Sequence, residues 1–258
     1  MEESAYFFEV LAGLLYALVG GRLWLRARNT GEVMARIIGA TFLLWGLSYL
    51  LYNLPFAIST QMLVPPLFFM GRVAYDLGAL AIAVFTCRVF RAGAGWARAV
   101  LALMLLSILI GLVGSAALGD WEGTDVRGNP WFWAEWLGIT VPPVWMGVEG
   151  LLEYASARRR RTLGLCDPIL CNRFLLWSLM GLFVVVSNLA VLPQYLEYQQ
   201  AARFSVVWDA VLGWLEIFTV VVIWLVFWPP ILYRRWIDAA AHAGHASEVR
   251  ATGPSAPQ

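Results

Sequence analysis

Between Arg98 and Asp120 the sequence reads AVLALMLLSILIGLVGSAALG, an apolar run without a single charged side chain. A bilayer core about 30 Å thick takes about 20 helical residues to cross, so this stretch is long enough to span it. Working outward, apolar runs bounded by Arg clusters or turn residues recur on both sides, and spans are expected at 5–25, 35–57, 64–87, 98–118, 131–153, 174–195 and 205–229. The composition agrees. Of 258 residues 60% are hydrophobic and 14% charged, against about 45–50% and about 25% in soluble chains. The expected fold class is therefore an all-α integral membrane protein, a seven-transmembrane-helix bundle over residues 1–233. Residues 234–258 are expected to form a short tail ending in a disordered ATGPSAPQ.

The basic residues set the expected orientation. All 18 are Arg. The connections after the first, third and fifth spans carry Arg26, Arg28 and Arg36, then Arg88, Arg91 and Arg98, then Arg158 to Arg161 and Arg173, and the tail adds Arg234, Arg235 and Arg250. The other side holds Arg127 and Arg203. By the positive-inside rule the N-terminus lies outside and the C-terminus in the cytoplasm. The acidic opening MEES, followed by an apolar run and then Arg22, Arg26 and Arg28, reads as a retained anchor rather than a cleaved signal. A multi-pass inner (plasma) membrane protein is expected. Trp131, Trp133, Trp136 and Trp208 on the outer side, with Trp24, Trp96, Trp228 and Trp236 on the inner, read as interfacial belts.

Missing residue types exclude several chemistries. There is no Lys for a retinal Schiff base, and both histidines, His242 and His245, lie beyond the last span, away from any intramembrane hydrolase or zinc site. Cys166 and Cys171 lack a His partner, Cys87 stands alone, and neither a disulfide nor a metal centre is expected. The net charge of +1 gives no field for nucleic acid. No enzymatic activity and no cofactor are expected.

Ionisable groups inside a bilayer are costly, which makes each one a site hypothesis. The spans contain Glu9, Arg72, Asp76, Glu135, Glu149, Glu153, Asp209 and Glu216, with the amides Asn53 and Asn188. At about 1.5 Å per residue, Glu9, Glu135 and Asp209 fall within about 7 Å of the outer boundary, Arg72 about 12 Å in, and Asp76 and Glu216 near mid-depth. Glu149 and Glu153 sit near the inner interface, free to reach water or the Arg158 to Arg161 run. Arg72 and Asp76 are four apart on one helix and are expected to pair. One Arg then faces Glu9, Asp76, Glu135, Asp209 and Glu216, an excess of acid that calls for a cation, an amine or water. The bland alternative is a structural Arg72–Asp76 pair, interfacial Glu9, Glu135 and Asp209, and a single deep acid, Glu216. The expected ligand-binding set is Arg72, Asp76, Glu135, Asp209, Glu216, Asn53 and Asn188, an outer-half pocket above an apolar inner half, which suits a sensor better than a conduit. The outer loop GDWEGTDVRGNP reads as a solvated turn over the bundle mouth, and Pro142 and Pro143 as a kink that frees backbone carbonyls towards the lumen.

FLLWGLSYLLYNLPF (Phe42 to Phe56), FFMGRVAYDLGALAIAVFTCRVF (Phe68 to Phe90), PWFW (Pro130 to Trp133) and RFLLWSLMGLFVVVSNLAVL (Arg173 to Leu192) resemble, in order, loop length and aromatic placement, the seven-transmembrane N-terminal sensor region of bacterial histidine kinases. The resemblance implies an extracytoplasmic small-molecule or cation sensor whose seventh helix signals inwards. The stretch after Pro230 leaves no room for a kinase domain, so signalling is expected to pass through a separate cytoplasmic or membrane partner, with 231–241 as a contact. Two alternatives stand beside this. Size, span count and Leu192-Pro193-Gln194 are similar to SWEET-type sugar transporters, although a neutral-sugar site has little use for five acids. A structural subunit of a membrane complex would instead turn its acids to partner helices.

Overall fold

The computed structural model describes residues 2–58, 65–201, 206–237 and 239. Every regular element among them is helical: α1 (Glu2–Thr30), α2 (Val33–Ile58), α3 (Pro65–Phe90), α4 (Gly95–Ala117), α5 (Pro130–Thr162), α6 (Pro168–Ala201) and α7 (Val206–Phe227). Six of them contain stretches long and apolar enough to cross a membrane, Phe8–Thr30, Val33–Asn53, Pro65–Phe90, Gly95–Ala117, Pro168–Gln200 and Ala210–Phe227. The chain is a multi-pass membrane protein in contact with lipid. The remaining helix, α5, is long enough but interrupted by Glu135, Glu149 and Glu153. Residues 59–64, 202–205 and the tail, with Arg203, Arg250, His242 and His245, lie outside the described residues.

The helices close into a ring in the order α1, α2, α3, α5, α6, α7 and back to α1, while α4 stands outside it against α3 and α5. On α4, Leu103, Leu106, Leu109 and Val113 are exposed, as a lipid-facing helix requires. Lipid tails are as apolar as Leu, so helices in a bilayer associate through close packing rather than water exclusion. The α1–α2 pair uses glycine for this. A Cβ on Gly20 would lie 2.6 Å from the Leu43 backbone nitrogen, and one on Gly46 2.7 Å from that of Ala17. The two backbones touch, and Gly31, at φ 76°, turns the chain between them.

The core occupies the half of the ring nearer the Arg-rich connections. Ile38, Phe42, Trp45, Ile82, Met146, Met180 and Ile223 are fully buried there. At that end Arg91 reaches from beyond α3 to Glu149 on α5 (Nε–Oε1 2.6 Å, Nη2–Oε2 2.8 Å), and Trp145 donates to the same carboxylate at 3.1 Å. Glu149 is therefore buried against Arg91, not snorkelling to water or pairing with the Arg158 to Arg161 run. Glu153 does meet that run, at 3.5 Å from Arg160 in an exposed pair, of little energetic weight. Cys166, in the α5–α6 turn, and Cys171, in the first turn of α6, bring free thiols within 3.2 Å of each other.

Candidate functional site

At the opposite end, reached by the start of α1, the end of α2 and the start of α3, lies a cavity of about 140 Å³. Arg72, on the second turn of α3, dominates its mouth. A helical side chain leans towards its own N-terminus, which carries the guanidinium away from Asp76 and towards Glu135 on α5. Nε donates to Glu135 Oε1 at 2.5 Å and Nη2 to Oε2 in a bidentate pair. Nη2 also donates to Ser115 Oγ at 3.0 Å, and Nη1 to the carbonyls of Asp120 at 3.2 Å and Trp121 at 3.4 Å. All five guanidinium N–H donors thus have acceptors. The expected Arg72–Asp76 pair is corrected accordingly. A basic residue preceding an acidic one by four is the weaker order on a helix, and Glu135 offers a two-point alternative.

The α4–α5 connection folds over this pair and so covers the bundle mouth, with Gly123, Thr124, Val126 and Asn129 buried rather than solvated. The Asp120 carboxylate accepts from the backbone N–H of Gly123 at 2.9 Å and from Asn129 Nδ2 at 2.7 Å. Asn129 caps α5 by accepting from the Trp131 N–H at 3.0 Å. Gly123, at φ 65°, lies so close to the guanidinium that a Cβ would collide with it. Glu122 also lines the cavity, and burial with Asp120 nearby pushes its carboxyl above the ordinary range.

Asp76 lies deeper on the cavity wall, 3% exposed, and its Oδ2 has no hydrogen-bond partner. Asn188 joins three helices: its Oδ1 accepts from Tyr75 at 2.8 Å, its Nδ2 donates to Thr140 at 3.2 Å, and its carbonyl accepts from Trp136 at 3.1 Å. Trp136, expected in the outer belt, is therefore a cavity residue. Asn53 lines the cavity too and donates to the Tyr49 carbonyl at 3.0 Å. Pro142 and Pro143 have no N–H for the carbonyls of Gly138 and Ile139, and Ile139 lines the cavity. Glu9 is a buried lining residue. The side chain of Asp209 lies outside the described residues.

Glu216 stands apart from the cavity lining. Its carboxylate accepts from the Tyr16 hydroxyl, tying α7 to α1, and Tyr49 and Ser187 flank it. Tyr16→Phe should cost about 1–3 kcal/mol by stranding a buried acceptor, read as a lower unfolding midpoint that Glu216→Leu on the same background partly restores.

Sequence patterning does not single out the tyrosines. Tyr49, Tyr52, Tyr75 and Tyr195 all line the cavity, and the spacing of Tyr49, Tyr52 and Asn53 on one face of α2 is the available signal. Compared with protein-family models, with curated proteins and with solved structures, the chain matches none.

Proposed function

We propose that the protein is a seven-helix sensor of the inner (plasma) membrane, N-terminus outside and C-terminus cytoplasmic, that binds an extracytoplasmic small molecule or cation and signals through a separate partner. The observation that carries this is the cavity's placement. Its lining comes from one end of the ring, and behind its Tyr75 the rings of Trp45 and Phe42 follow at 5.8 and 6.1 Å in the packed core. A pathway has to hydrate along its length, whereas a receptor needs a floor. The Arg-rich connections at the far end fit a cytoplasmic face. The Tyr16–Glu216 bond links α7 to the wall of the same ring, and α7 leads through Pro229 and Pro230 to a helical stretch over 231–237. There Ile231, Leu232 and Trp236 are exposed, an apolar surface at the membrane boundary for a partner.

The test uses the native thiols. A fluorophore on Cys166, at the far end from the cavity, reports on protein reconstituted in liposomes while small amines, amino acids, sugars and inorganic cations are added outside. A saturable change in emission without uptake of the solute is expected. Saturable uptake would overturn the sensor in favour of a transporter, and silence towards every probe would favour a structural subunit.

A further inference from the structure

We infer that the cavity is a site for a small organic ammonium ion, held through an N–H donor by Asp76; this rests on the proposed sensor and names the class of ligand.

The strongest donors of the lining are already committed. Arg72 has spent every N–H on Glu135, Ser115 and the carbonyls of the covering loop, so it has none to offer an anionic ligand. Tyr75 and Trp136 donate to Asn188, which donates in turn to Thr140. Against these stands Asp76 Oδ2, buried on the cavity wall with no donor of its own. A buried acceptor of this kind is expensive unless something satisfies it.

Charge and shape agree. The cation of the described lining, Arg72, is committed to Glu135 and leaves no positive charge for Asp76. Around it stand Tyr49, Tyr52, Tyr75 and Tyr195 with Trp136, and aromatic faces attract ammonium ions within about 6 Å. A metal ion is the poorer fit, because no group of three Asp, Glu, His or Cys side chains converges among the described residues. An ammonium bearing an N–H meets both needs, the hydrogen bond at Asp76 and the charge among the rings.

The experiment measures thermal unfolding and calorimetric binding of the full chain in lipid nanodiscs with four probes: phenethylammonium, tetramethylammonium, neutral 2-phenylethanol and anionic phenylacetate. Phenethylammonium should raise the midpoint saturably and bind at least tenfold more tightly than the alcohol or the acid. Tetramethylammonium, which has no N–H, should bind more weakly than phenethylammonium. Asp76→Asn should weaken phenethylammonium at least tenfold. The same change should raise the ligand-free midpoint by roughly 2–4 °C, a gain that a purely structural carboxylate would not give. Asp76→Glu, which keeps the acid, should retain binding and covers the case in which the amide variant fails to fold. No saturable binding of phenethylammonium, or equal binding to Asp76→Asn, overturns the assignment. A response confined to the alcohol or phenylacetate overturns it while leaving the sensor standing, and saturable uptake of phenethylammonium into liposomes overturns the sensor while leaving the ammonium site.

Discussion

Arg72→Met should cost the folded bundle about 3–5 kcal/mol, the range found when one partner of a buried ion pair is removed. The loss is large because the guanidinium serves three elements at once. It neutralises Glu135 on α5, bonds Ser115 on α4, and holds the carbonyls of Asp120 and Trp121 in the covering loop. Without it Glu135 is a buried carboxylate whose cation is gone, and the loop loses its anchor. The double variant Arg72→Met/Glu135→Leu should recover most of the loss, since an apolar pair of similar volume replaces a costly desolvated one. Arg72→Met/Asp76→Asn should recover less. Thermal unfolding of the three variants in nanodiscs decides: a Glu135→Leu double no more stable than the single, or the larger recovery from Asp76→Asn, would return the pair to the one helix. Hydrogen exchange in residues 118–129 should accelerate in all three variants, because the loop's anchor is absent from each.

Gly20 and Gly21 should respond in opposite directions to the same mutation. Their backbone is equally helical, but a Cβ on Gly20 would meet Leu43 N at 2.6 Å and Gly39 O at 2.8 Å, both backbone atoms that cannot turn aside. The helices must separate, and with them the contacts that close packing supplies in place of a hydrophobic effect. Gly20→Ala should therefore cost at least the upper end of the roughly 1–3 kcal/mol usual for overpacking. On Gly21 a Cβ would meet only Leu43 Cδ2, at 3.9 Å. Gly21→Ala should be neutral or stabilise by up to about 1 kcal/mol, since glycine is the weaker helix former. A matched pair of unfolding curves tests this, and equal behaviour of the two variants would place the α1–α2 contact elsewhere.

The helices were legible because a bilayer leaves the sequence little choice: a segment that crosses it must be apolar for its whole length, and the Arg clusters mark where crossings stop. The polar residues of the cavity were legible by the same rule, since Arg72, Asp76 and Glu135 stand out within apolar runs. Partnership was not. Glu135 is 63 residues from Arg72, and only the packing of α3 on α5 brings it nearer than the Asp76 one turn away. The departure of α4 from the ring left only a faint mark on composition: its mean hydropathy of 2.5 is the highest of the spanning stretches, but that of α7, inside the ring, is 2.4. The tyrosines escape notice for a related reason: an aromatic ring in a span is at home in lipid, in a core or on a pocket wall, and hydropathy does not separate the three.

The ring closes through a contact between distant parts of the chain. α1 and α2 are joined by a turn at Gly31 and lie backbone against backbone, so they can form as soon as the ribosome has delivered both. Glu216 is bonded to Tyr16, 200 residues earlier. That bond waits for α7, which carries Glu216 in and seals the ring against α1. Assembly in order of synthesis thus ends where it began: a bundle whose first hairpin is misformed offers Glu216 no Tyr16, and a buried acid loses that donor inside the bilayer, where ionisable groups are costly.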